Sequence, residues 1–375
     1  MKIIYITDAF AIWGGMERVL ADKMNAFAVQ FRYEIILLTV NQGNHPLIYD
    51  LCPNVKHIDL NVRLHQQYNY CGVERLIKRR ELQKTLKKRM KIVLEEIRPD
   101  VIVCVKLDYV GVLMKIKENI PLVVESHTLC NAEKMDEAGF LRRIYVWSLK
   151  RCIRKADAVV ALTEGDAADW RQYNKKVFVI PNVVHLNDSG SYASCEQKSV
   201  IYVGRFSKQK GIVSLLRIWK IVNQQHPDWR LDIYGEGEMK EYYLPIVSEM
   251  NANIRIYPPT SNILSIYRKH SILLLTSHYE PFGLVLPEAM SCGLPVVAFN
   301  CPYGPAEIIT DGFDGYIVKN HNHEDFANHV CKLIEDENLR VKMGKVGIQS
   351  SQRYRTENII PKWKNLFKMI VGDPI

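Results

Sequence analysis

Short apolar runs alternate with helix-length amphipathic stretches along the whole chain. Runs rich in Val, Ile and Leu and bounded by turn residues read as strands of a parallel sheet with helices on both faces. In the first half they are Lys2–Thr7, Glu34–Val40, Val55–Leu60, Asp100–Val105, Leu122–Ser126, Ala158–Leu162 and Val177–Ile180. In the second half they are Val200–Val203, Arg230–Tyr234, Ile254–Tyr257, Ile272–Leu275, Val296–Phe299 and Tyr316–Val318. Between Glu74 and Ile97, Leu86, Met90, Val93, Leu94 and Ile97 fall on one helical face, with lysines and arginines opposite. Beyond His323 the pattern is helical, including the aromatic-rich Ile359–Ile370. The fold class predicted is α/β, with two Rossmann-like doubly wound domains.

Length agrees with two domains, because single cores stop growing at roughly 250–300 residues and this chain has 375. After Pro181-Asn182 the polar, turn-prone stretch Asn187–Ser194 reads as a linker. The expected division is 1–185, 186–355, and a terminal helical segment, 356–375, with the first domain as its candidate docking surface. Hydrophobic residues at 47% and charged residues at 24% exclude disordered and fibrous classes. The longest uncharged run, Ala289–Ala306, is broken by Gly293, Pro295, Pro302, Gly304 and Pro305, so no membrane span is expected. The apolar start is too short for a signal peptide and is closed by Asp8. A cytoplasmic location is expected, and nine cysteines without a Cys-x-x-Cys pair suit reduced thiols there.

The net charge of +9 lies almost wholly up to His185 and concentrates between Glu74 and Arg98. That helix lacks interleaved aromatics for base stacking, so nucleic acid is not the expected partner. An anionic membrane surface fits it, and so does a solvated helix face.

In doubly wound sheets ligands bind beyond the carboxyl ends of the strands, so the loops there carry the chemistry. The first loop, Asp8 to Met16, has no Gly-x-Gly-x-x-Gly, only Gly14-Gly15 before a helix. This is an anion site at a helix N-terminus or a tight turn. The second, Gly204 to Gly211, is not a Walker loop, but Arg205 and Lys210 in it can converge on one anion. Taken alone, surface charge accounts for them equally. In the third, Ser277 to Met290, Pro287 must lie in a first helical turn. Glu280 then precedes the helix and Glu288 lies just inside it, as two hydroxyl-binding carboxylates or as a cap and a solvated Glu. Tyr257-Pro258-Pro259 ends another strand, as a base-reading segment or a simple turn.

Glu280 and Glu288 form a Glu-x7-Glu signature. Together with Gly204-Arg205, Lys210-Gly211, Gly14-Gly15 and the segment Tyr303–Ile309, the chain resembles the family 4 retaining glycosyltransferases of the glycosyltransferase-B fold, including members that assemble bacterial surface polysaccharides. The resemblance covers essentially the whole chain and implies a donor held in a cleft between the domains. Arg205 and Lys210 would hold the donor diphosphate, Glu288 the ribose, and Glu280 the transferred sugar. Backbone at Phe282, Gly283, Leu284 and Val285 would serve the distal phosphate and sugar, and Tyr257 the base. Gly15 would close over the phosphates, and His127, in Glu125-Ser126-His127-Thr128, would stand beside the reacting sugar. Glu280, His127, Arg205 and Lys210 are the expected catalytic group.

The implied reaction is transfer with retention from a UDP-sugar (UDP-Gal, UDP-Glc, UDP-GalNAc or UDP-GlcNAc) to a saccharide or polyprenyl-diphosphate-linked acceptor. No cofactor and no metal are expected, and the chain contains no Asp-x-Asp. The alternatives are a nucleotide-sugar epimerase on the same fold and a GDP-mannose-dependent mannosyltransferase. Peripheral association with the inner face of the membrane, through helix 74–98, completes the expectation.

Overall fold

The computed structural model describes residues 1–132, 139–250 and 252–372; the last three residues of the predicted closing segment lie outside them. The chain forms two compact units, one of Met1–Val183 together with the segment that begins at Thr356, the other of Val184–Arg355.

Unit 1 holds seven parallel strands, β1 (Lys2–Thr7), β2 (Glu34–Thr39), β3 (Val55–Asp59), β4 (Val101–Cys104), β5 (Leu122–Glu125), β6 (Ala158–Ala161) and β7 (Val177–Val179), in the order β3-β2-β1-β4-β5-β6-β7. Side chains alternate between the two faces of a strand, and here both faces are sealed. Ile4, Ile6, Ile36, Leu38, Ile102 and Cys104 enter one core with Leu82, Leu86, Met90 and Leu94 of the basic helix Gly72–Ile97. Their neighbours Ile3, Tyr5, Ile35, Leu37, Val101 and Val103 enter a second core with Leu20, Met24 and Phe27 of the helix Gly15–Gln30. That second core is completed from the far end of the chain. Helix Thr356–Val371 carries Ile359, Ile360, Trp363, Leu366 and Phe367 along one stripe, and all five are buried against it. Fully burying such side chains stabilises by about 1.5–3 kcal/mol each.

Unit 2 holds six parallel strands, β8 (Ser199–Val203), β9 (Arg230–Tyr234), β10 (Ile254–Tyr257), β11 (Ile272–Leu275), β12 (Val296–Phe299) and β13 (Gly315–Val318), in the order β10-β9-β8-β11-β12-β13. Its core joins Val200, Tyr202, Ile233, Leu274 and Phe299 to helices Ile212–Gln225 and His323–Glu335. The strand order reverses between β1 and β4 in unit 1 and between β8 and β11 in unit 2. Doubly wound sheets open a crevice at such points. The loop after β8 is 204–211 and the loop after β11 is 276–284, so the second and third motif loops emerge from adjacent strands.

Candidate active site

In unit 2 the two loops are locked together by backbone. Gly211 adopts φ +64°, and a Cβ there would fall 2.0 Å from the Thr276 carbonyl oxygen, so only glycine allows the approach. The Lys210 carbonyl accepts from the Tyr202 hydroxyl at 3.0 Å and the Thr276 hydroxyl at 3.2 Å. His278 N–H donates to the Gln209 carbonyl at 2.8 Å, and the Gln209 side chain donates to the Tyr279 carbonyl at 3.0 Å.

This framework brings Lys210 and Glu280 into an ion pair through Nζ and Oε1. The same oxygen accepts from the Ser277 hydroxyl at 2.7 Å. The Glu280 backbone is held as well: its N–H donates to the Pro302 carbonyl at 2.6 Å, and its carbonyl accepts from Tyr303 and Gly304 at 2.9 and 3.0 Å. Gly304 permits this, since a Cβ there would lie 1.8 Å from the Phe282 carbonyl oxygen. Glu280 is buried, whereas the Lys210 side chain is 22% exposed and can reach a ligand. Burial, with the Glu280 carboxylate adding to it, pushes the nearby Cys301 thiol up to about 12, so that cysteine is no nucleophile at neutral pH.

Helix Val285–Ser291 starts immediately after this loop with Pro287 in its first turn. Leading N–H groups of a helix have no intrahelical acceptor, so Leu284 and Val285, with Gly283 just before them, stand at the end of the helix that favours an anion. Glu288 is buried in that first turn and accepts from the Tyr267 hydroxyl at 3.3 Å. Phe282 is buried edge-on to Tyr354, with ring centroids 5.2 Å apart. Arg205 is paired differently, donating from Nε to Glu238 at 3.0 Å with both side chains well exposed. Tyr257 stacks on Tyr234 at 4.7 Å, and its carbonyl accepts from Gly235 N–H at 3.1 Å.

In unit 1, Gly14 caps and Gly15 opens the helix Gly15–Gln30. A Cβ on Gly14 would lie 2.1 Å from a carboxylate oxygen of Glu17, a buried first-turn residue whose carboxyl burial raises. His127 follows β5, and its Nε2 lies 3.0 Å from Glu125 Oε1. Glu125 in turn pairs with the buried Lys23. Burial alone would raise the Glu125 carboxyl, but Lys23 and His127 hold it down at about 2.

Sequence reasoning pointed to Lys210, Glu280, Glu288 and His127 but not to the residues that hold them in place. Ser277 and Tyr267 are ordinary residues whose roles come from the fold. Lys23 left a signal: it sits one helical turn from Leu20 and Phe27, on a face otherwise apolar.

Residues 13–188 match the model of the Glycosyltransferase Family 4 domain, and residues 189–350 match that of the Glycosyl transferases group 1. The amylovoran biosynthesis glycosyltransferase AmsD of Erwinia amylovora is 27% identical over 376 residues, covering 97% of this chain and 99% of that protein. The poly(ribitol-phosphate) alpha-N-acetylglucosaminyltransferase of Staphylococcus aureus is 29% identical over 240 residues, 63% of this chain and 48% of that protein. Among solved structures, a mutant of S. aureus TarM in complex with Fondaparinux, alpha-GlcNAc-glycerol and UDP superposes with a TM-score of 0.80. It covers 98% of this chain and 99% of its own at 18% identity, a likeness of fold. With both domain models matched in order across residues 13–350, and a Rossmann-like doubly wound sheet in each unit, the chain belongs to glycosyltransferase family 4.

Proposed function

We propose that this glycosyltransferase moves a hexose or N-acetylhexosamine from a UDP-sugar to a saccharide acceptor, with retention and without a metal, in surface-polysaccharide assembly. The observation that carries the reading is the Lys210–Glu280 pair at the β8/β11 reversal, a part-exposed cation beside a buried, doubly anchored carboxylate. Cleavage of the anomeric C–O bond leaves negative charge on the departing nucleotide. Lys210, Arg205 and the N–H groups at Gly283–Val285 stabilise that charge where water is excluded. To do so, Lys210 and Arg205 trade carboxylate partners for phosphate. Glu280 and Glu288 accept from sugar and ribose hydroxyls and Tyr257 backbone meets the base, while Gly15 and His127 are the residues of unit 1 that the family resemblance assigns to the donor. The names of the relatives support polysaccharide chemistry, and UDP in the TarM complex supports the nucleotide.

The acceptor in this reading is lipid-linked, and the enzyme associates peripherally with an anionic membrane. No helix among the described residues is long and apolar enough to cross one. Lys84, Lys87 and Lys88 are exposed on helix Gly72–Ile97, and so are the apolar Val73, Leu76 and Ile77 near its start. Each basic side chain near an anionic surface contributes roughly 1 kcal/mol. Sedimentation with phosphatidylglycerol vesicles, unchanged by charge reversal at those three lysines, would sink this part.

The function itself is tested by a panel of UDP- and GDP-sugars, read by melting temperature and by slow nucleotide release in EDTA. One UDP-sugar is expected to stabilise the wild type and to be turned over, with both effects lost in Glu280→Ala and Arg205→Ala. Conversion to an isomeric UDP-sugar would instead indicate an epimerase, and turnover of GDP-mannose alone a mannosyltransferase.

A further inference from the structure

Unit 1 contains a continuous chain of side chains behind His127 that the reading above leaves without a role. Lys23, on helix Gly15–Gln30, and Glu125, at the end of β5, are 1% and 2% exposed, and the ammonium meets both carboxylate oxygens. Glu125 Oε1 also meets His127 Nε2 at 3.0 Å. The Trp363 ring lies over the ammonium at 4.1 Å and the Tyr5 ring at 5.2 Å, both residues being buried. Glu17, buried in the first turn of the same helix, interacts electrostatically with both the imidazole and Lys106.

A sealed ion pair is a poor device for stability, because removing two charges from water costs about as much as their attraction returns, or more. What it supplies is a fixed, ionised acceptor. An ionised carboxylate has only lone pairs to offer, so the imidazole nitrogen facing it must be the donor. In the neutral ring the proton is then on Nε2, and Nδ1 is bare.

We propose that Lys23, with the Trp363 ring over it, is a positioning residue for His127: by fixing Glu125 as an ionised acceptor it holds the Nε2–H tautomer, so that Nδ1 accepts a hydrogen bond from the transferred sugar. This rests on the reading that His127 stands beside that sugar. It also gives the C-terminal helix a part in the site, since Trp363 seals the cation that the network depends on. The residue that aims the imidazole is thus 104 positions earlier in the chain, and the ring that covers it 236 positions later.

The test uses the full chain labelled with 15N-histidine, the His127 resonances being assigned by their loss in His127→Asn. The expected result is that the neutral form of the ring carries its proton on Nε2. A proton on Nδ1 in the wild type overturns the proposal. Kinetics give the second arm, as nucleotide release from the UDP-sugar that the panel selects. Lys23→Met and Trp363→Leu should each lower kcat, Lys23→Met by roughly 10- to 100-fold, with KM for the donor nearly unchanged. In Lys23→Met the carboxyl of Glu125 loses its cation, so the acid limb of kcat should move to higher pH. Wild-type kcat and an unmoved acid limb in a folded Lys23→Met overturn the proposal, and Trp363→Leu and the wild-type spectrum decide it if Lys23→Met does not fold. His127→Ala separates the two readings: kcat lost there, with the wild-type proton on Nδ1, removes the network alone, whereas kcat kept there removes both.

Discussion

Two Lys–Glu pairs with a buried glutamate, one in each unit and each beside the carboxyl end of its sheet, differ in access to water. Lys210–Glu280 in unit 2 leaves its lysine 22% exposed, while Lys23–Glu125 in unit 1 is sealed on both sides. In the proposed reading the first cation exchanges its carboxylate for a phosphate, and this is easier than breaking the second pair because water reaches the lysine and Ser277 still donates to Glu280. Breaking the second would strand a charge among Tyr5, Trp363 and the strand cores. In the proposed reading the two pairs serve opposite ends, one holding a place for a ligand and the other holding a side chain still.

Four measurements sharpen or break this comparison. Removing one partner of the sealed pair should cost the most: Lys23→Met should lose about 3–5 kcal/mol of unfolding free energy in urea at pH 8. Lys23→Met combined with Glu125→Met should recover most of it. Next, Lys210→Ala should lower kcat for nucleotide release by about 10²- to 10³-fold and destabilise the protein by less than Lys23→Met does, because Ser277 still donates to Glu280. A large loss of stability there would erase the distinction between the pairs.

The third measurement concerns Asp166, which unit 1 buries in the first turn of helix Glu164–Arg171 beneath the loop that carries His127. Its carboxylate accepts from Cys130 N–H at 2.7 Å and Trp170 Nε1 at 3.0 Å, yet burial outweighs these bonds and raises it to about 6. A raised carboxyl favours folding fully only below its unfolded pKa, near 4, and the advantage disappears as pH rises through about 6. The stability of Asp166→Asn relative to wild type should therefore grow between pH 4 and 7, by up to about 3 kcal/mol, as read from urea midpoints across that range. The smallest effect belongs to the exposed Arg205–Glu238 pair, where Glu238→Ala should change stability by less than about 1 kcal/mol. Its donor affinity should hold or improve, because Arg205 is released, as calorimetric titration with UDP would report.

How much was legible in the sequence depended on the range of the interaction. All thirteen strand segments correspond to observed strands within a residue or two at their ends, because a strand buried on both faces leaves its signature within its own few residues. Pro287 likewise located a helix start from a single local rule. Glu280 was recognisable by its distance from Glu288, but its contacts with Ser277, Lys210 and Pro302 come from three different segments. Lys23 stood out only as a charge on an apolar helical face, and nothing near it named Glu125, 102 residues away.

The sequence by itself determined that the chain would build two parallel, helix-covered sheets and where its motif loops begin. Burial periodicity and glycine or proline constraints act over a few neighbouring residues, so they can be read in order. Tertiary structure alone decided that the last helix completes the core of unit 1 and that its Trp363 covers Lys23. It also decided that one Lys–Glu pair is sealed and the other open. Those outcomes depend on which elements the strand order sets side by side, and on how much water the packing leaves between them.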